Sequence, residues 1–194
     1  MVMYTTESIG ARGLGFPARA AMLVACVFAV ASGVAQTTAP VTQLNPTSFM
    51  AAWHTIARYP DKREKSCVSD EQTLYALGDK PNTFQLVTSC RLKLDNWDGW
   101  NQAGRLDPGG SGRMRLTWFW FIRSDYWVIA TAPDYSWALV GTPNHKSLWV
   151  LAKADTLAAG VLDGIKSQAA AQGFDPGKLV LIKQLDASTV GTAP

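Results

Sequence analysis

The sequence predicts an all-β fold: an eight-stranded antiparallel up-and-down β-barrel with one C-terminal α-helix and a short final strand. Three observations carry that expectation. Eight β-rich runs follow one another at meander spacing with tight turns between them, which suits a barrel better than a βαβ fold. No segment between those runs has room for a crossover helix, so neighbouring strands run antiparallel. After the eighth run the pattern changes once to a helical period, and a last short β run closes the chain.

The 194 residues suit one domain with a processing segment in front of it. Residues 1–19 are polar and carry Arg12 and Arg19, and Ala20 to Ala35 is an apolar run without a charge. That run is shorter than the roughly 20 residues a helix needs to cross a bilayer. A basic start, an apolar middle and the small residues Gly33 and Ala35 describe a signal peptide over residues 1–35, cleaved near Ala35. Leu23-Val24-Ala25-Cys26 also matches a lipobox, in which the cysteine is lipidated. Cys26 lies in the middle of the apolar run rather than at its end, so plain cleavage is the preferred reading. The expected location is the periplasm or the outer membrane. Losing Arg12, Arg19 and Glu7 lowers the formal charge from +3 to +2. With no Lys/Arg-rich block, nucleic acid is excluded as a partner. Hydrophobic residues make up 47% of the chain and all eight Trp follow residue 35, enough for a real core.

Residues 36–48 are rich in Thr and Pro and read as a flexible lead-in. Trp53–Tyr59 is the first strand, stopped at Pro60-Asp61. Val68–Leu77 and Thr83–Leu92 form a hairpin around Gly78-Asp79-Lys80-Pro81-Asn82. It brings Cys67 and Cys90 to one end, and in an oxidising compartment an isolated pair points to a disulfide. Direct opposition of the two would put Pro81 in the ladder, so a bulge or longer loop must absorb the difference. The breakers Asp95-Asn96, Asp98-Gly99 and Pro108-Gly109-Gly110 leave one short strand, about Trp100–Leu106. Arg113–Ile122, Tyr126–Thr131, Ser136–Gly141 and Leu148–Lys153 follow. Their turns are Arg123-Ser124-Asp125, Ala132-Pro133-Asp134 and Thr142-Pro143-Asn144. Asp155 or Thr156 caps a helix to about Gln172, with Leu157, Val161, Leu162 and Ile165 at helical spacing. Gly173 ends it, Asp175-Pro176-Gly177 turns the chain, and Lys178–Lys183 is the last strand. The barrel domain therefore occupies 49–185, and 186–194 reads as a flexible tail.

Four segments resemble the lipocalin family, in particular its bacterial lipocalin and apolipoprotein D-like branch. Trp53-His54-Thr55-Ile56-Ala57-Arg58-Tyr59-Pro60 is similar to the family's Gly-x-Trp-Tyr-x-Ile-Ala-Arg opening. Asp125-Tyr126-Trp127-Val128-Ile129 followed by Asp134–Gly141 is the second. Leu148-Trp149-Val150-Leu151-Ala152-Lys153 is similar to Leu-Trp-Ile-Leu-Ser-Arg, and Gly173-Phe174-Asp175 with Lys178-Leu179 resembles the exit from the family's helix. Two positions depart: Ala51 stands for the motif Gly, and Lys153 for an Arg that stacks on the motif Trp. The resemblance implies that Trp53 and Lys153 close the barrel's bottom. Lys offers a cation–π contact of roughly 0.5–1 kcal/mol when exposed, without the planar fork that bonds several carbonyls.

An eight-stranded barrel is wide enough to hold one small ligand when its inward side chains leave room. Alternation points Met114, Leu116 and Trp118 inward, and likewise Tyr126, Val128 and Ala130. In the next two strands both parities are apolar, and the family pattern favours Ala138, Val140, Trp149 and Leu151. That lining is apolar with a phenol or indole N–H for a polar end. It suits a small hydrophobic ligand of the fatty acid or lysophospholipid class, bound and carried without reaction, with a role in envelope lipid maintenance. An enzyme on such a barrel (isomerase, de-epoxidase or esterase) has few candidates: Asp70, Glu71, Tyr126, His54 and His145. No Gly-x-Ser-x-Gly motif is present. Eight Trp also allow an overfilled barrel serving assembly alone. His54, opposite in parity to Trp53, is expected to face solvent, as is His145 in its turn. Arg113 and Arg115 read as a solvated outer face, with phospholipid headgroups the alternative. Phe119 and Phe121 point outward, to be covered by the helix, a second subunit or a membrane. Peripheral membrane contact and a homodimer stay open. Scattered cysteines and histidines give no zinc spacing, and no cofactor is expected.

Overall fold

The computed structural model describes residues 37–185, except 63–64, 94–95 and 119–120. The signal peptide over residues 1–35 with its cleavage near Ala35, the lipobox Cys26, the tail 186–194 and Phe119 lie outside the described residues.

Eight strands close into a ring: β1 (Ala52–Arg58), β2 (Ser69–Leu77), β3 (Thr83–Arg91), β4 (Trp97–Leu106), β5 (Arg113–Trp118), β6 (Ile122–Thr131), β7 (Trp137–Gly141) and β8 (Leu148–Ala152). Each pairs antiparallel with the next, and β1 bonds both β8 and β2. Closure leaves no free sheet edge within the ring. A ninth strand, β9 (Val180–Leu181), bonds β1 at Ala57 and Arg58, beyond the last β1 residue that pairs with β2.

Several elements differ from their expected bounds, each for a local reason. β4 begins at Trp97, with Asp98 and Gly99 in register with Cys90 and Ser89. Gly99 is not a breaker: a Cβ there would stand 3.0 Å from the Thr88 carbonyl oxygen, so the close strand approach needs glycine. Arg123-Ser124-Asp125, expected as a turn, lies inside β6. Those three residues alternate across the strand, Ser124 accepting from Trp118 Nε1 at 2.9 Å and Asp125 reaching Arg115 at 3.6 Å. The register of β6 on β7 shifts between Val128 and Ala130. That bulge resets the parity, so Ala130, expected inside, packs with Ile129 on the outer cluster.

The helix of the C-terminal region, α2 (Val161–Ala171), starts later than Asp155. Gly160 takes a left-handed φ of 78°, which a right-handed helix cannot include. Gly173 ends it with φ 85°, and the N–H groups of Gly173 and Phe174 bond the carbonyls of Ala170 and Ala169. Residues 38–44, expected in a flexible lead-in, are tied down through the backbone. Val41 N–H donates to Val128, Gly112 N–H donates to Val41, and Leu44 N–H donates to Gly110. Polar composition says nothing about such main-chain bonds. A single helical turn, α1 (Pro46–Phe49), follows, capped by the Asn45 side chain.

Two clusters hold the fold. Inside the barrel, Phe49, Trp53, Tyr75 and Phe84 meet Met114, Val128, Val140 and Leu151. Outside it, Ile165, Ala169 and Phe174 cover Ile56, Ala57, Ile129, Leu139 and Val150. Gly104 makes the interior packing work: a Cβ there would fall inside the Phe84 ring.

Candidate functional site

Buried side chains close the end of the barrel where β1 begins. Trp53 is fully buried, donates its Nε1–H to Phe49 O at 2.9 Å, and tilts against the Phe49 ring. Lys153 Nζ stands 5.4 Å over the Trp53 ring and donates to Ser48 O at 3.2 Å. It makes that one carbonyl bond where an arginine fork could make several. Of the residues expected to meet a ligand, Met114, Val128, Ala138, Val140 and Leu151 are buried in the inner cluster and are not among the walls of the cavity beside it. Alternation correctly turns them inward. Phe49, Trp53, Tyr75 and Phe84, contributed by other elements, fill the space in front of them.

Beside these side chains lies a cavity of about 130 Å³, with Leu116, Trp118, Tyr126 and Trp149 among its walls. Its chemistry is more polar than the sequence suggested. Thr73, Thr88, Gln102 and Ser124 share its walls with Leu86 and Trp100, and Glu71 and Asp61 also face it. Tyr126 hydrogen-bonds the buried Tyr75 hydroxyl and stacks obliquely on Trp149 at 5.2 Å. Burial raises the Tyr75 hydroxyl well above the ordinary phenol range, with the neighbouring Tyr126 adding to it.

Glu71 and Arg58 form an ion pair here that sequence reasoning missed. Arg58 Nε donates to Glu71 Oε2 at 2.7 Å, with both side chains buried. The register of β1 on β8 shifts between Thr55 and Ala57, and Ile56 and Ala57 both join the outer cluster. That bulge turns Arg58 to the inside, the opposite of simple alternation from Trp53. Burial raises the Glu71 carboxyl above its ordinary value, and the Arg58 guanidinium opposes the rise.

Gln102 is the second missed residue. It is 6% exposed, and its Nε2 has no hydrogen-bond partner among the described residues. A signal for it existed: Gln102 shares parity with Leu106 and Trp100 in one strand, which marks it as inward. On β2 the polar residues Ser69, Asp70, Glu71 and Gln72 occupy both parities, so Glu71 carried no such signal.

Cys67 and Cys90 are bonded, with Cα atoms 5.5 Å apart. The register of β2 on β3 shifts between Ser69 and Gln72, where Asp70 takes a left-handed φ of 53°. This is the irregularity the pairing required. Both histidines depart from expectation. His54 is buried, with Nδ1 3.1 Å from Gln184 Oε1, because the segment after β9 crosses over β1. His145 bonds Thr38 and the Gln172 carbonyl and meets the Phe174 ring edge-on at 4.8 Å. Of the acid–base candidates, only Glu71 and Tyr126 line the cavity; Asp70 accepts from Arg91 at 2.9 Å. Among the described residues, no group of three His, Cys, Asp or Glu is placed to hold a metal.

A family model described as a lipocalin-like domain matches residues 44–184. Temperature-induced lipocalin-1 of Arabidopsis thaliana is 26% identical over 155 residues, covering 75% of this chain and 82% of that protein. The outer membrane lipoprotein Blc of Vibrio cholerae is 22% identical over 154 residues, covering 78% and 90%. Among solved structures, insecticyanin from the tobacco hornworm Manduca sexta superposes with a TM-score of 0.61 at 19% identity, covering 79% of this chain and 87% of that one. Lobster apocrustacyanin A1 gives 0.61 at 14% identity, covering 77% and 86%. At such identities these structures speak to the fold alone.

Proposed function

The chain belongs to the lipocalin family, and from that premise we propose that it is an exported, non-catalytic carrier of a small amphiphile held in the barrel. The observation that carries this reading is the buried Gln102 amide without a partner, facing a cavity walled by Trp100, Trp118 and Trp149. An orphaned buried donor costs about 1–3 kcal/mol, and a guest's carbonyl oxygen offsets that cost. Glu71 is already paired with Arg58, so a second ionised carboxylate adds net negative charge to a closed space. Neutral acceptors are therefore preferred: the ester of a lysophospholipid, or a fatty acid in its protonated form. Tryptophan and leucine side chains take the adjoining methylenes, at about 0.8 kcal/mol each. The cavity matches the roughly 150 Å³ that holds a benzene-sized guest, so a longer tail displaces side chains at the mouth.

The Cys67–Cys90 bond supports export, since structural disulfides persist in oxidising compartments. Relatives named as outer membrane lipoproteins support the cell envelope. The test is a tryptophan-fluorescence titration with lysophosphatidylcholines and fatty acids of increasing chain length. Saturable quenching is expected, strongest for the lysophosphatidylcholines, whose ester carbonyl is an uncharged acceptor. No saturable change with any chain overturns the reading and favours the second one, a filled barrel. The cavity volume favours that alternative, lying below the roughly 300 Å³ usual for ligand sites.

A further inference from the structure

Outside the barrel, the faces of β4, β5 and β6 form a cationic groove of about 520 Å³. Arg105, Arg113, Arg115 and Arg123 line it with Trp127, against two acids, Asp107 and Asp125. All four arginines are exposed. Asp125 is spent on Arg115, and Asp107 accepts from Ser111 and from Gly109 N–H in its own turn. Arg113 lies 5.3 Å over the Trp127 ring. Arg105 faces Arg115 directly across the ladder, a like-charge pairing that costs stability. Arg105 and Arg123 have no acidic partner among the described residues.

The same strip ends in an apolar tip. Phe121 is 66% exposed and Ile122 47%, next to Arg123, and exposed Trp97 on β4 carries Arg91 over its ring at 5.2 Å. Arginines interleaved with aromatics and an apolar tip are the composition of an interfacial anchor. An acidic protein would match the arginines but leave Phe121 and Ile122 unexplained. A bilayer accounts for both, with anionic headgroups for the cations and an acyl boundary for the tip. We infer that this face docks on a bilayer surface carrying anionic headgroups. The inference is independent of what the cavity holds.

The test is co-sedimentation of the full chain with vesicles of phosphatidylcholine alone or mixed with phosphatidylglycerol. The quantity read is the ratio of anionic to neutral partitioning, which cancels any contribution of the N-terminal apolar run common to all variants. Each arginine near an anionic surface strengthens partitioning about fivefold. The double variant Arg105→Gln/Arg123→Gln is therefore expected to lower the ratio about tenfold or more, and added salt to lower it in the unaltered chain. Phe121→Ser is expected to weaken binding to both vesicle types. Lys166→Gln/Lys178→Gln removes the same charge elsewhere and is expected to leave the ratio nearly unchanged. Thermal melts check that each variant folds. A ratio near one for the unaltered chain, or an equal fall with the lysine pair, overturns the inference. So does binding to an acidic protein without binding to anionic vesicles.

Discussion

Replacing Gln102 by leucine separates stability from ligand binding. Gln102 stands across from Leu86 in the β3–β4 ladder, with Leu116 on the same cavity wall. Leucine has nearly the same volume and extends an apolar surface already present. The amide Nε2 is buried without a partner, and such a donor costs about 1–3 kcal/mol. Removing it is expected to stabilise the ligand-free protein by about 1 kcal/mol. For a domain of this size that raises the melting temperature by roughly 2–4 °C. Binding moves the other way. A guest carbonyl loses one hydrogen bond worth about 0.5–1.5 kcal/mol, a weakening of roughly two- to twelvefold. Thermal unfolding without ligand gives the first quantity and tryptophan quenching with a lysophosphatidylcholine the second. A leucine variant that melts lower, or binds with unchanged affinity, refutes the placement of the guest's acceptor at Gln102.

Three further outcomes follow from the packing and the charges. Gly104→Ala drives a methyl into the fully buried Phe84 ring and is expected to cost about 1–3 kcal/mol in denaturant unfolding. Adding Phe84→Leu should recover part of that loss, and a near-neutral single variant would show that the ring is free to move. Cys67→Ala/Cys90→Ala removes a link across a sequence separation of 23 and should cost about 3 kcal/mol, with loss of reductant sensitivity. The raised Glu71 carboxyl contributes stability that is present below its unfolded value and lost as pH rises through its folded one. Glu71→Gln lacks that dependence, so the variant gains on the unaltered chain as pH climbs above the ordinary glutamate range, about 4. Movement in the opposite sense would mean that Arg58 outweighs burial.

Much of this molecule is local and can be read along the chain. The tight turns, the alternation of Met114, Leu116 and Trp118, and the glycine exit at Gly173 each depend on a few neighbouring residues. Strand count and order follow from them, and so does closure, since an eight-stranded meander leaves its first and last strands to pair. The Trp53–Lys153 contact was legible because both ends carry recognisable motif residues. The cysteine pairing was legible because a hairpin brings its ends together whatever its register.

What the pattern could not carry is the outcome of many strands acting at once. A bulge adds one residue where two strands fail to keep step, and it reverses every side chain beyond it. Arg58 thus entered the barrel beside Glu71, and Ala130 left it for the layer under α2. His54 is buried by the run after β9, more than a hundred residues further along the chain. Inward direction is a property of one strand. Free volume is a remainder, left when Phe49, Trp53, Tyr75 and Phe84 have taken their places between strands far apart in sequence. Alternation therefore named the wall of the barrel, and packing chose which of its residues face the cavity.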